Sequence, residues 1–268
     1  MKKPFFISPP RTRSTILYES LVPFVTEKTR LLPCEGHSEP FLHTLQNKTI
    51  IDSNTGLTHQ MEMYPIATDK SLSIHYIYPW VFKDNRTSVI EKLKLLKKAR
   101  DNGNEYYIKG TYNIADAIDE TMDFFSDYDI VLTLRRDIKE LVCSVLYATQ
   151  IKMFHSRTSN RDLYERTKKN ITVSDETISQ IKHFMRKISI LYNLKDVYDL
   201  NVVYYEDLDT CDNIDECISN IIGTEEWKGY RPEGMPTPLD NCYNSLINNY
   251  DQVIEEIQQY ETYFQSLR

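Results

Sequence analysis

A short apolar run, Pro4 to Ile7, opens the regular pattern of this chain and stops at Ser8-Pro9-Pro10, which gives way to Arg11-Thr12-Arg13-Ser14-Thr15. Apolar positions then recur at helical spacing from Ile16 to Val25. Strand, tight loop and helix start are predicted in that order. From Leu31 to Lys70, Pro33, Pro40 and Pro65 break any period, so this stretch reads as irregular with short helical pieces. Ser71 to Tyr78 alternates as a strand does. Ser88-Val89-Ile90-Glu91 has the form of a capping box and predicts a helix to about Arg100, stopped by Asp101-Asn102-Gly103.

Glu105 to Lys109 reads as a strand, followed by a helix ending near Phe125. Asp129 to Leu134 is almost continuously apolar, the mark of a strand covered on both faces of a parallel sheet. Ile138, Leu141, Val142, Val145 and Leu146 set out a helix from about Ile138 to Phe154. His155 to Asn170 is charged and turn-prone and reads as a surface segment. A long helix is predicted from about Ser174 to Leu194, a second buried strand over Asn201 to Tyr205, a helix to Ile222, and a C-terminal helix from about Leu239. This alternation predicts an α/β fold with a mainly parallel sheet flanked by helices, whose ligands bind at the carboxyl ends of the strands. Without repeats or low-complexity tracts, residues 1–268 read as a single domain.

Hydrophobic residues make up 41% of the chain and charged ones 26%, as in soluble globular proteins. The net charge of −7 argues against broad nucleic-acid binding, which needs basic surface. An anionic ligand must then be caught locally, by a few placed cations. No apolar run approaches the ~20 residues of a membrane span. Despite Lys2 and Lys3, Phe5-Phe6-Ile7 meets Ser8-Pro9-Pro10 too soon for the core of a signal peptide, so a cytoplasmic location and no membrane partner are expected. Five scattered cysteines without CxxC spacing predict free thiols and no metal site.

The loop at residues 8–15 carries the first chemistry. The start of a helix presents unpaired N–H groups and partial positive charge, which suits a phosphate. Both glycines and the lysine of the nucleoside-triphosphate loop G-x-x-x-x-G-K-[ST] are missing, so ordinary ATP or GTP hydrolysis is not expected. A second anion-binding element lies downstream. Strand 129–134 ends in Arg135-Arg136-Asp137, and Ser144 follows Arg136 by eight residues inside the next helix. An arginine at a strand end can grip a phosphate with two parallel hydrogen bonds.

Taken together, these elements resemble the sulfotransferase family. Pro10-Arg11-Thr12-Arg13-Ser14-Thr15 is similar to the family's Pro-Arg/Lys-Ser-Gly-Thr-Thr loop, Arg136 with Ser144 matches its later Arg and Ser in type and spacing, and Tyr205-Glu206-Asp207-Leu208 matches its YEDL. The ordered trio spans about residues 4 to 223. The resemblance implies a P-loop nucleoside-triphosphate-hydrolase-like topology and sulfuryl transfer from 3′-phosphoadenylyl sulfate (PAPS) to a hydroxyl or amine. Arg11, Thr12, Arg13, Ser14 and Thr15 would then hold the phosphosulfate, and Arg136 and Ser144 the 3′-phosphate. The family's loop glycine is Arg13 here. Either the backbone is right-handed at that position, or Arg13 turns its side chain toward the ligand as an extra cation.

Gly36-His37-Ser38-Glu39-Pro40-Phe41 resembles the Gly-x-x-Glu-x-Phe segment of bacterial trehalose-type sulfotransferases, which implies Glu39 as general base; His37 and Glu35 are alternates. Arg11 is the residue to stabilise charge on the bridging oxygen, because it stays protonated. The co-substrate would be PAPS, with no metal, and the partner a small-molecule, carbohydrate or peptide acceptor. The rival readings are a nucleotide kinase and a non-catalytic nucleotide-binding protein that keeps the fold.

Overall fold

Phe5, Phe6 and Ile7 have no exposed surface, so both faces of the first strand are covered and that strand lies inside the sheet. The computed structural model describes residues 4–14, 17, 29–31, 44–45, 49–51, 58–60, 74–75, 86–101, 105–151, 168–208, 211–223 and 242–266. Five strands form the main sheet: β1 (Pro4–Ser8), β2 (Thr29–Leu31), β3 (Glu105–Thr111), β4 (Asp129–Leu134) and β5 (Asn201–Tyr204). Their spatial order is β2-β3-β1-β4-β5, and every pairing is parallel. The fold is therefore α/β, a parallel sheet flanked by helices. Two small antiparallel ribbons, Thr44–Leu45 with Ile74–His75 and Thr49–Ile51 with Thr58–Gln60, lie apart from this sheet.

The helices are α1 (Arg86–Asp101), α2 (Ile118–Phe124), α3 (Ile138–Ile151), α4 (Asp175–Ser179), α5 (Ile181–Val197), α6 (Cys211–Ile222), α7 (Tyr243–Leu246) and α8 (Tyr250–Ser266). Eight consecutive residues of α3, Leu141 to Ala148, are buried. A helix apolar on all sides needs cover on all sides, and α7 and α8 pack against it. Val253 and Ile257 of α8 have no exposed surface. On another part of the core, Phe5 stacks on Phe125 with ring centroids 3.7 Å apart, and a 3₁₀ turn over Tyr112–Ala117 joins β3 to α2 and packs on α1 and α5.

Several boundaries differ from the sequence reading, each for a local reason. Strand β4 falls where its apolar run predicts. Strand β5 is only half-buried, not fully covered, because it forms the sheet edge and pairs with β4 alone. Helix α1 begins at Arg86, so Ser88 sits inside the first turn and not at a cap. The long helix is broken in two. Ser174 caps α4 by accepting from the Thr177 amide at 3.2 Å, and the chain restarts as α5 after Gln180. Strand β2 has three residues, too few to show an alternation. No helix among the described residues is long and apolar enough to cross a membrane.

Cys143 of α3 is buried, Cys217 of α6 half-buried and Cys242 exposed; all three are free thiols. Burial, and then the nearby Asp137 and Glu140 carboxylates, push the Cys143 thiol up to about 12 from an ordinary 9.0. Burial pushes Cys217 up to about 11. An unfolded thiol ionises first, so the unfolded state loses protons before the folded one. These groups therefore subtract stability as pH rises from the unfolded value toward the folded ones. At pH 8, a thiol-alkylating reagent read by mass spectrometry is expected to label Cys242 in the native protein and Cys143 only after denaturation. Prompt native labelling of Cys143 would contradict its packing.

Candidate functional site

Strand β1 sits at the middle of the sheet, and the chain leaves it toward β2 and β3 on one side but reaches β4 and β5 on the other. The carboxyl ends of β1 and β4 thus flank a topological switch point, where open α/β sheets form their ligand crevice. Two sequence segments meet there: residues 8–14 after β1, and residues 135–144 after β4.

The first loop is anchored from beneath. Thr12 has no exposed surface; its hydroxyl donates to the Pro9 carbonyl at 3.0 Å and lies 3.0 Å from the Thr133 hydroxyl of β4. Thr133 is the one polar residue inside the apolar run of β4, and this bond is its purpose. Thr12 consequently fixes the loop with its side chain, whose hydroxyl is engaged on both sides. The amide of Leu17 bonds to the Arg13 carbonyl at 3.5 Å, which marks the first helical turn. Ser14 is buried in that turn. Thr15 and Glu39, with His37 and Glu35, lie outside the described residues.

Arg11 and Arg13 both have left-handed backbones, φ 66° and 58°. Each costs about 1–2 kcal/mol for a residue with a Cβ. The position where the resembled loop has glycine therefore keeps glycine's conformation here, and the right-handed alternative is excluded. The Arg13 guanidinium stacks on the Tyr205 ring at 4.4 Å, and its Nη1 is buried with no hydrogen-bond partner among the described residues.

Arg11 makes the connection between the segments. Its Nε donates to Ser144 Oγ at 3.0 Å across 133 residues of sequence. Ser144 is buried in α3, so the half-buried Arg11 reaches from the β1 loop to the helix behind the second element.

The two consecutive arginines after β4 have different fates. Arg135 is 5% exposed. Its guanidinium pairs with Glu140 at 2.6 Å and stacks at 4.3 Å on the Tyr205 ring, which Arg13 also contacts, while its Nε is buried and unpartnered among the described residues. The hydroxyl of Tyr192 clamps its backbone, accepting from the Arg135 amide at 3.1 Å and donating to the Arg135 carbonyl. Burial pushes that tyrosine up to about 12. Arg136 instead points outward. It makes two parallel bonds to Asp207, at 2.7 and 2.8 Å, and stacks on Tyr204 at 4.3 Å. The bonds to Asp207 raise the Arg136 pKa and lower that of Asp207.

Glu206 accepts from the amides of Arg136, at 2.9 and 3.1 Å, and of Asp137, at 3.4 Å. Asp137 caps α3 by accepting from the Glu140 amide at 2.8 Å. The Tyr205-Glu206-Asp207 turn thereby ties the end of β5 to the end of β4. Sequence reasoning singled out Arg136 and Ser144 but missed Arg135, Tyr205 and Asp207 as members of the cluster; the signal was the adjacency of two arginines to a strand end and of YEDL to the next strand.

The arrangement gathers four arginines at the mouth of a central parallel strand, of which Arg135 and Arg136 are paired with carboxylates while Arg11 bonds to a serine hydroxyl and Arg13 stacks on a ring. Among the described residues no group of three or more His, Cys, Asp or Glu is placed to hold a metal ion. A separate cavity of about 450 Å³, lined in part by Tyr128, Asp129, Tyr198 and Asn201, opens at the amino ends of β4 and β5, away from these arginines. Compared with known proteins, the chain matches no family model and no curated protein.

Proposed function

We propose that the chain is a sulfotransferase of P-loop-like topology that uses PAPS as donor. The observation that carries this reading is the Arg11–Ser144 hydrogen bond, which joins the loop after β1 to the helix behind Arg136, the two elements a doubly phosphorylated adenosine would have to bridge. Buried nitrogens on Arg13 and Arg135 without a partner among the described residues fit an anionic ligand too, since such donors are costly to leave unsatisfied. The loop strand lies at the centre of the parallel sheet, where an open α/β sheet forms its ligand crevice.

In the transfer the acceptor oxygen bonds to sulfur while the bond from sulfur to the bridging oxygen breaks, and the bisphosphate leaves. Within that scheme Arg11 stabilises charge on the bridging oxygen, and the loop amides and Ser14 hold the adjacent phosphate. Arg136 holds the second phosphate through its fork. Glu39 takes the acceptor proton, with His37 or Glu35 in its place if it does not.

Calorimetry with adenosine 3′,5′-bisphosphate against ATP tests the reading: the bisphosphate is expected to bind more tightly, and tighter ATP binding would favour a kinase. Consumption of PAPS with a pool of hydroxylated acceptors separates an enzyme from a non-catalytic binder. Arg136→Ala is expected to weaken the bisphosphate about tenfold or more while leaving adenosine 5′-monophosphate within about twofold. Equal losses for both ligands would remove Arg136 from the 3′-phosphate.

A further inference from the structure

We infer that Asp207 competes internally for the fork of Arg136 and so determines how selectively the site takes a second phosphate. This rests on the reading just proposed, and adds to it a residue that tunes the ligand's affinity without touching the ligand.

The geometry has three parts. First, Asp207 offers both carboxylate oxygens to the two terminal nitrogens of Arg136, at 2.7 and 2.8 Å. A phosphate gripped end-on through these two terminal nitrogens would meet the carboxylate, so on that edge the two anions exclude each other. Second, the pair is open to solvent, with side chains 52% and 55% exposed. An ion pair in water is weak and exchangeable. The neighbouring Arg135–Glu140 pair is the contrast, for its guanidinium is 6% exposed and it cannot be surrendered cheaply.

Third, the backbone that carries Asp207 is held independently of its carboxylate. Glu206 makes the bonds to the amides of Arg136 and Asp137, the Leu208 amide closes the turn on the Tyr205 carbonyl at 3.2 Å, and Leu208 is buried. Tyr204 supports the guanidinium from its face. Removing the charge at position 207 therefore releases the two short bonds to the fork, leaving Arg136 on Tyr204 with only the longer approach of Glu206 Oε2, 3.9 Å from its Nη1. A ligand must displace a bound carboxylate to reach Arg136, and only a ligand with a group there gains when that carboxylate is removed.

The test is Asp207→Asn, titrated by calorimetry with adenosine 3′,5′-bisphosphate and with adenosine 5′-monophosphate. Glu216→Gln on the exposed side of α6 serves as the control for net charge. The bisphosphate is expected to bind about fivefold more tightly to Asp207→Asn than to the native chain, the monophosphate within twofold of its native affinity, and Glu216→Gln to change neither. If the native chain binds the bisphosphate but Asp207→Asn binds it no better, the competition is overturned and the sulfotransferase reading stands. Equal tightening of both nucleotides, or equal tightening by Glu216→Gln, overturns it as a general charge effect. No binding of the bisphosphate to either protein overturns both.

Discussion

Arg11→Met is expected to lower turnover with PAPS by about two to three orders of magnitude, the loss typical when a preorganised donor to developing charge is removed. Methionine keeps much of the side chain's length and apolar stem, so the half-buried position stays filled and the circular dichroism spectrum should not change. The bisphosphate should still bind, since Arg136 and the loop amides remain. Arg11→Lys is the sharper companion. Lysine preserves the charge but has no Nε–H to donate to Ser144, and its compact ammonium cannot present two donors in a fixed plane. Partial turnover in Arg11→Lys would show that charge and orientation contribute separately. Turnover within about threefold of native in Arg11→Met would reduce Arg11 to a tie between the loop and α3.

The second large effect is on stability. Lys187 of α5 and Asp116 of the 3₁₀ turn form an ion pair at 2.6 Å with side chains 8% and 15% exposed. Two charges taken out of water are tolerable as a pair, and removing one strands the other. Lys187→Ala is expected to cost about 3–5 kcal/mol in urea unfolding. The double variant Lys187→Met with Asp116→Leu should recover most of that loss, because a matched apolar pair leaves no buried charge. A loss below about 1 kcal/mol for Lys187→Ala would mean that Asp116 is satisfied by water or by another group once the lysine is gone.

That pair also shows what a sequence hides. Lys187 stands three residues after Phe184 and four before Leu191, both buried, so helical spacing alone puts it on the core face. Nothing in the pattern says that Asp116, 71 residues away, waits there. The parallel sheet was legible because a strand covered on both faces must be almost wholly apolar, as β4 is but for Asp129 at its start and Thr133. The break at Gln180 was not, because Ile178 and Ile181 keep their apolar identity on either side of it. In the site, Arg136 and Ser144 could be named from their spacing, but the structure bonds Arg136 to Asp207 and Ser144 to Arg11, not to one another. Which of two adjacent arginines turns inward depends on the parity of β4 and on Tyr205 arriving from another strand, and neither can be read locally. The proposed base, Glu39, lies outside the described residues and stays an expectation of the resemblance.

The central place of β1 has a consequence for how the chain is made. Phe5 aligns with Ile108 on one side and Ile130 on the other, so this strand gains neither neighbour until more than a hundred further residues have been synthesised. At a translation rate of about 5–20 residues per second, its three fully apolar side chains wait several seconds or longer for cover. Chaperone capture of ribosome-bound nascent chains should therefore centre on this first segment and end once the fourth strand has emerged.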